Sequence, residues 1–138
     1  MIVAIIPARG GSKRIPRKNL KSFHGKPIIA YAIKAAIKSR CFDKIIVSTD
    51  DEEIAQVARE WGADVPFIRP DNISDDYATT VEVIQHSIEW FKCKGHILSS
   101  ICCIYPTAPF LQSDDIDRGL KLLNKPDTQY VFSATTFE

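Results

Sequence analysis

The sequence predicts an α/β protein, a three-layer α/β/α sandwich built around a mainly parallel sheet. The first observation is the unbroken aliphatic run Ile2–Ile6, which suits a strand covered on both faces. The second is the order that follows, strand then helix four times over and then a strand, with no repeat, low-complexity stretch or linker. The third is bulk: 138 residues with 45% hydrophobic side chains can build one core, so a single domain over 1–138 is expected.

Each element has a local signature. After Ile2–Ile6 comes a glycine-containing basic loop, and Gly25-Lys26-Pro27 then introduces a helix, with Pro27 suited to its first turn. Ile29, Ile33, Ala36 and Ile37 recur at helical spacing and are expected to face the sheet. Lys44–Thr49 reads as the second strand. Asp50 can cap the next helix, whose first turn is acidic (Asp51, Glu52, Glu53), whose inner stripe is Ile54, Val57, Ala58 and Trp61, and which ends at Gly62.

Val65–Ile68 is a short third strand weakened by Pro66. A polar stretch follows, and Thr79-x-x-Glu82 then forms a capping box for a helix carrying Val81, Ile84, Ile88 and Phe91. Ser100–Tyr105 is a fourth strand and Pro106-Thr107-Ala108-Pro109 a rigid turn. Ser113 or Asp114 can cap a helix bearing Ile116, Leu120 and Leu123, and Tyr130–Ala134 reads as a fifth strand. This order brings the loops at 7–19, 48–51, 69–80 and 105–113 to the carboxyl edge of the sheet, where open α/β sheets bind ligands.

The first of these loops is the densest chemistry in the chain. Arg9, Lys13, Arg14, Arg17 and Lys18 surround Gly10, Gly11 and Ser12, and cations with backbone amides at a strand end suit a small polyanion such as a nucleoside triphosphate. Charge is also segregated. Residues 1–42 carry ten Lys or Arg and no acid, while the remainder holds eight basic and 17 acidic side chains, or −9. Lys21, Lys34, Lys38 and Arg40 read as the solvated face of a helix. Gly10 and Gly11 would permit unusual backbone conformations and close approach of a ligand. Lys13 can meet a phosphate as a point charge and Arg9 can grip one bidentately.

Several function classes are excluded or disfavoured. The loop lacks both G-x-x-x-x-G-K-S/T and G-x-G-x-x-G, which argues against a P-loop kinase and a dinucleotide oxidoreductase. Cys41, Cys93, Cys102 and Cys103 form no C-x-x-C pair and read as buried thiols of a reducing cytoplasm. His24, His86 and His96 are scattered. No apolar run is long enough to cross a membrane, and Ile2–Ile6 is too short and lacks a preceding cationic region for a signal peptide, so a cytoplasmic location is expected. Nucleic-acid binding by residues 9–40 is disfavoured because aromatic residues do not interleave with the charges.

The run I-P-A-R-G-G-S-K-R-I-P-R-K-N, then G-K-P-I-I-A-Y, I-V-S-T-D-D-E-E-I-A and R-P-D-N-I-S-D-D, resembles the sialic-acid-type cytidylyltransferases along the whole chain. These are CMP-sugar synthetases with a Rossmann-like nucleotide-diphosphosugar transferase fold. P-F-I-R-P-D-N-I-S-D-D-Y-A-T-T and C-C-I-Y-P-T-A-P-F-L are most similar to the pseudaminic acid branch of bacterial surface-glycan pathways. The resemblance implies transfer of CMP from CTP to a nonulosonic acid with release of pyrophosphate.

It also implies residue roles. Ala8 and Arg9 would seat the cytidine nucleotide, the Gly10–Ser12 amides and Lys13 would hold the triphosphate, and Asn19 would sit at the ribose or phosphate side. Arg69 and Thr80 would contact the nucleotide near its base and ribose, Asp76 matches a recurrent position, and Tyr105 and Thr107 would meet the sugar acid. Arg9 and Lys13 are the candidate catalytic residues. Blander roles stand beside these: organising the loop for Asn19, beginning a helix for Thr80 and packing for Tyr105, while Asp50 and Asp51 suit capping better than a metal pair.

Members of the family use Mg2+ and form dimers, and they continue past the point where this chain stops. The resemblance therefore implies a nucleotide cradle whose metal ligands lie largely outside 1–138, with an unpaired edge strand favouring self-association. A CTP-binding module without transferase activity stays open as the alternative.

Overall fold

The computed structural model describes residues 1–136. Its sheet has three parallel strands, β1 (Ile2–Pro7), β4 (Lys44–Ser48) and β5 (Ser100–Cys103), in the order β4-β1-β5. Between β1 and β4 stand a two-stranded antiparallel ribbon, β2 (Ser22–Phe23) with β3 (Lys26–Pro27), and helix α1 (Ile28–Ser39). Helices α2 (Glu52–Glu60), α3 (Thr80–Cys93) and α4 (Ser113–Leu123) complete the elements. Pairing is in register from Val3↔Lys44 to Pro7↔Ser48 on one side of β1 and from Ile2↔Ser100 to Ile5↔Cys103 on the other.

The strand alternation sorts the core into two layers. Ala4, Ile6 and Ala8 point to one face, against Ile29, Ala32 and Ile33 of α1, Ile54 and Ala58 of α2 and Ile116 of α4. Val3 and Ile5 point to the other, beside Ile46 of β4, where Phe91 of α3 covers them. Thus β1 is buried on both faces, as its aliphatic run predicts, and its neighbours on both sides come later in the chain. That makes its carboxyl end a topological switch point, the place where such sheets open a crevice.

Two expected strands do not form. Residues 65–68 make only one isolated bridge, Thr49↔Ile68, with a second, Ile46↔Asp64, just before the segment, because Pro66 has no N–H to donate to a ladder. Tyr130–Ala134 pairs with nothing among the described residues. Tyr130 and Phe132 are 78% and 71% exposed, so no face covers the alternation that suggested a strand. The outer edge of β5 is consequently unpaired among the described residues.

Helix ends also differ in detail. Pro27 precedes α1 rather than lying in its first turn, because it is engaged in the β2–β3 ribbon, whose turn places His24 and Gly25 at φ 46° and 79°. Ile37 is 44% exposed, and Ala32 and Ala35 take the inner positions instead. The cap of α2 is Asp51, whose Oδ1 accepts the Ile54 N–H at 2.9 Å, and this leaves Asp50 free for another role. The Thr79–Glu82 capping box forms as predicted, but the buried stripe of α3 is Val83, Ser87 and Phe91, with Val81 63% exposed. Neither Ser113 nor Asp114 caps α4. Gln112 precedes it, donating its N–H to Asp115 at 3.2 Å. All four cysteines are free, and Cys93 and Cys103 are exposed rather than buried; burial pushes the half-buried Cys102 thiol up to about 11.

Candidate functional site

Three of the four loops at the carboxyl edge meet in one open cleft of about 180 Å3. Its walls are Pro7, Arg9, Ser12, Lys18 and Asn19 from the basic loop, Arg69, Ala78, Thr80 and Val83 from the segment entering α3, and Tyr105, Pro106 and Thr107 after β5. Small-molecule pockets run to roughly 300–1,000 Å3, so this cleft suits part of a nucleotide rather than a fully enclosed ligand. The structure therefore brings together seven expected residues, Arg9, Ser12, Asn19, Arg69, Thr80, Tyr105 and Thr107. Lys18, expected only as one of the five loop cations and given no role of its own, joins them. It opens a short 3-10 turn, Lys18–Leu20, and burial of the adjacent Asn19 carries it to the cleft wall.

The fourth loop holds the first one in place. Asp50 Oδ1 accepts the Gly10 N–H at 2.9 Å, and Ala8 N–H donates to Ser48 O at 2.9 Å. Arg17 grips Asp51, with Nη2 at 3.0 Å from Oδ1, and also pairs with Glu53. Its φ of 53° is a left-handed conformation unusual for a side chain of this size, and the two carboxylates hold it there. The Arg17 hydrogen bond keeps the Asp51 carboxyl below its ordinary range. Arg17 is thus an anchor and not a cation facing the cleft.

Gly10 and Gly11 do not act through unusual backbone angles, since neither has a positive φ. Gly10 matters through close approach: a Cβ there would stand 2.6 Å from Asp51 Oδ2 and 2.9 Å from its Cβ. Gly11 has open space around it. Gly10→Ala is expected to push the loop from α2, costing about 1–3 kcal/mol of stability, the usual scale of overpacking. Thermal unfolding checks this, and a melting temperature equal to the parent's would refute it. The amides expected to cradle phosphate are partly engaged, Gly10 N–H by Asp50 and Ser12 N–H by Gly10 O at 3.0 Å.

Ala8 is fully buried and off the cleft wall. Asn19 does organise its loop, donating Nδ2–H to Arg9 O at 3.0 Å, yet its buried Oδ1 has no partner among the described residues. Thr80 is the first residue of α3, and its hydroxyl lies 3.2 Å from the Tyr105 hydroxyl, so both stand at one rim of the cleft. Tyr105 is 59% exposed and does not pack as core. Arg9 Nη1 donates to Asp75 O at 2.8 Å and pairs with Asp76 Oδ1 at 2.7 Å, while Lys13 pairs with Asp76 Oδ2. Lys13, then Arg9, hold the Asp76 carboxyl below its ordinary range.

The most unusual group is Arg69. Its side chain is 4% exposed, yet Nε and Nη2 have no hydrogen-bond partner among the described residues. The nearest carboxylate oxygen, Asp50 Oδ1, is 3.8 Å from Nη2 and is already bonded to Gly10. Burial lowers the Arg69 pKa, with Asp50 opposing. A buried cation with unmet donors is costly for a fold and useful at a site, because a ligand acceptor there gains a full charge-assisted bond.

Among the described residues no three His, Cys, Asp or Glu side chains converge as a metal site would require. Asp50, Asp51, Asp75 and Asp76 are each committed to backbone or cationic partners. These residues do not by themselves fit a divalent cation.

Comparison with known proteins agrees with the geometry. Residues 3–137 match the cytidylyltransferase family. A pseudaminic acid cytidylyltransferase of Campylobacter jejuni is 46% identical over 136 residues, covering 99% of this chain and 59% of the relative. The CMP-N,N'-diacetyllegionaminic acid synthase of Legionella pneumophila is 37% identical over 121 residues, covering 88% and 52%. This chain therefore spans little more than half the length of these relatives. Among solved structures, a CMP:2-keto-3-deoxy-manno-octonic acid synthetase complexed with CTP superposes with a TM-score of 0.70 at 22% identity, over 88% of this chain and 46% of that one, and shares the fold. With a matching profile over nearly every residue and relatives well above 30% identity, the chain belongs to the cytidylyltransferase family.

Proposed function

We propose that this chain forms the nucleotide-holding part of an enzyme that transfers CMP from CTP to a nonulosonic acid, with pseudaminic acid the favoured acceptor. The observation that carries the reading is Arg69, a buried guanidinium with two unmet donors at a cleft shared by the basic loop and the Tyr105–Thr107 turn. Arg69, Thr80 and the backbone around Ala8 would hold the base and ribose. Arg9, Gly10, Gly11, Ser12, Lys13 and Asn19 would hold the phosphates, with Asp76 beside them. Tyr105 and Thr107, on the turn after β5 that reaches the cleft beside Thr80, would meet the sugar acid.

In this reaction the anomeric hydroxyl attacks the α-phosphorus, the bond to the β-phosphate oxygen breaks, and pyrophosphate leaves with its negative charge. The hydroxyl proton passes to solvent or a base. The chain's own contribution is positioning and charge neutralisation, and no covalent enzyme intermediate is needed. A magnesium ion would add neutralisation of the phosphates, but the described residues do not assemble ligands for one, and no step is assigned to it. We place the reaction in the cytoplasm of a bacterium and expect a homo-oligomer, since the outer edge of β5 is unpaired among the described residues.

Calorimetry with CTP, ATP and CMP tests the cradle, and pyrophosphate release with pseudaminic, legionaminic and N-acetylneuraminic acids tests transfer. CTP preferred over ATP, with release in the presence of pseudaminic acid, is expected. Failure to bind CTP would overturn the reading. Binding without release would favour the second reading, a CTP-binding module.

A further inference from the structure

Asp76 stands where the phosphate-holding reading needs a ligand. Its two carboxylate oxygens meet the two cations of the basic loop, Oδ1 on Arg9 at 2.7 Å and Oδ2 on Lys13. A carboxylate bridging two cations through separate oxygens offers them two adjacent anionic acceptors, as two oxygens of a phosphate group would. We propose that Asp76 is a displaceable counter-ion that holds Arg9 and Lys13 in place for the terminal phosphates of the nucleotide and, by competing for them, makes the site favour a triphosphate over a monophosphate. This rests on the reading of the cleft as a CTP site.

The surroundings suit displacement. The Lys13 side chain is 82% exposed, and those of Arg9 and Asp76 are about one-third exposed, so water screens the pairs and they hold only weakly. The neighbouring turn does not depend on Asp76. Asp75 Oδ1 accepts the N–H groups of Tyr77 at 2.9 Å and Ala78 at 2.8 Å, and Thr79 is fixed by its capping box with Glu82. The Asp76 side chain can therefore turn away while its backbone stays. A polyphosphate offers several charged oxygens to both cations and wins that competition. A single phosphate near the ribose does not reach both and leaves the carboxylate in place.

The test is calorimetry at fixed ionic strength on the parent chain, Asp76→Asn and Asp76→Ala, with inorganic tripolyphosphate, CTP, CMP and cytidine as titrants. Both variants are expected to bind tripolyphosphate and CTP more tightly by roughly fivefold or more, with cytidine unchanged and CMP changed far less. Equal or weaker binding of tripolyphosphate and CTP by both variants would overturn the proposal. It would make Asp76 a bystander or a member of the occupied site. Failure of the cytidine reading looks different: the parent would then bind ATP as well as CTP, while a gain for tripolyphosphate in the variants would still support displacement of Asp76.

Discussion

Arg69→Met is expected to weaken CTP binding by about 2–5 kcal/mol, at least ~30-fold in Kd, while leaving the fold as stable as the parent or more so. Both halves follow from one geometry. In the structure the guanidinium is almost fully buried, Nε and Nη2 lack partners among the described residues, and Asp50 is too distant at 3.8 Å for a strong bond. Removing an incompletely paired buried cation relieves desolvation, and methionine fills a similar unbranched volume. A bound nucleotide acceptor would lose its charge-assisted donor, and nothing apolar replaces that. Calorimetry and thermal melting give the two numbers. A Kd within about threefold of the parent would refute the ligand role. A sharply lower melting temperature would make Arg69 a structural residue instead.

Lys13→Ala is expected to reduce turnover by about 10²–10³-fold, or 2.7–4 kcal/mol in the transition state, by analogy with loss of one preorganised donor. The CTP KM should move little. In the structure the Lys13 side chain is 82% exposed and paired with Asp76, so the ion pair it gives up to a bound triphosphate offsets most of what it gains in ground-state binding. Its value comes when charge gathers on the departing pyrophosphate, and only interactions stronger there raise kcat. Continuous pyrophosphate release at saturating CTP measures it. Turnover within a few-fold of the parent would remove Lys13 from the chemistry, and an equal rise in KM would make it a simple binding residue.

The contrast between these two cations shows what a sequence can reveal about such a site. Strand β1, its basic loop and the position of the loop at a sheet edge were legible because an aliphatic run and a charge cluster are local features. The capping box at Thr79 was legible for the same reason. The fate of each cation was not. Arg9, Lys13 and Arg17 look alike in sequence, yet Arg17 is taken by Asp51 and Glu53, which lie 34 and 36 residues away. Likewise, Asp50 and Asp51 compete to cap α2, and only packing shows that Asp51 caps while Asp50 turns to Gly10.

The strands expected at 65–68 and 130–134 fail to form for a common cause. Apolar alternation records that a segment could pair, but pairing needs donors and a neighbour. Pro66 removes a donor, and Tyr130 and Phe132 have no covering layer among the described residues. Lys18 was not singled out from the other loop cations for the opposite reason. A lysine carries no signal of direction, and the burial of Asn19 beside it supplies that direction only in three dimensions.

The two ties on the basic loop, Gly10 to Asp50 and Arg17 to Asp51 and Glu53, make a suspension bridge of the residues between them. Residues 11–16 hang between two fixed posts, and Lys13 rides on the span. The piers belong to the sheet edge and α2, so the span can change length or composition without moving the foundations. Reach toward the phosphates and stability of the scaffold are thereby separate variables, and the chain can retune one while conserving the other.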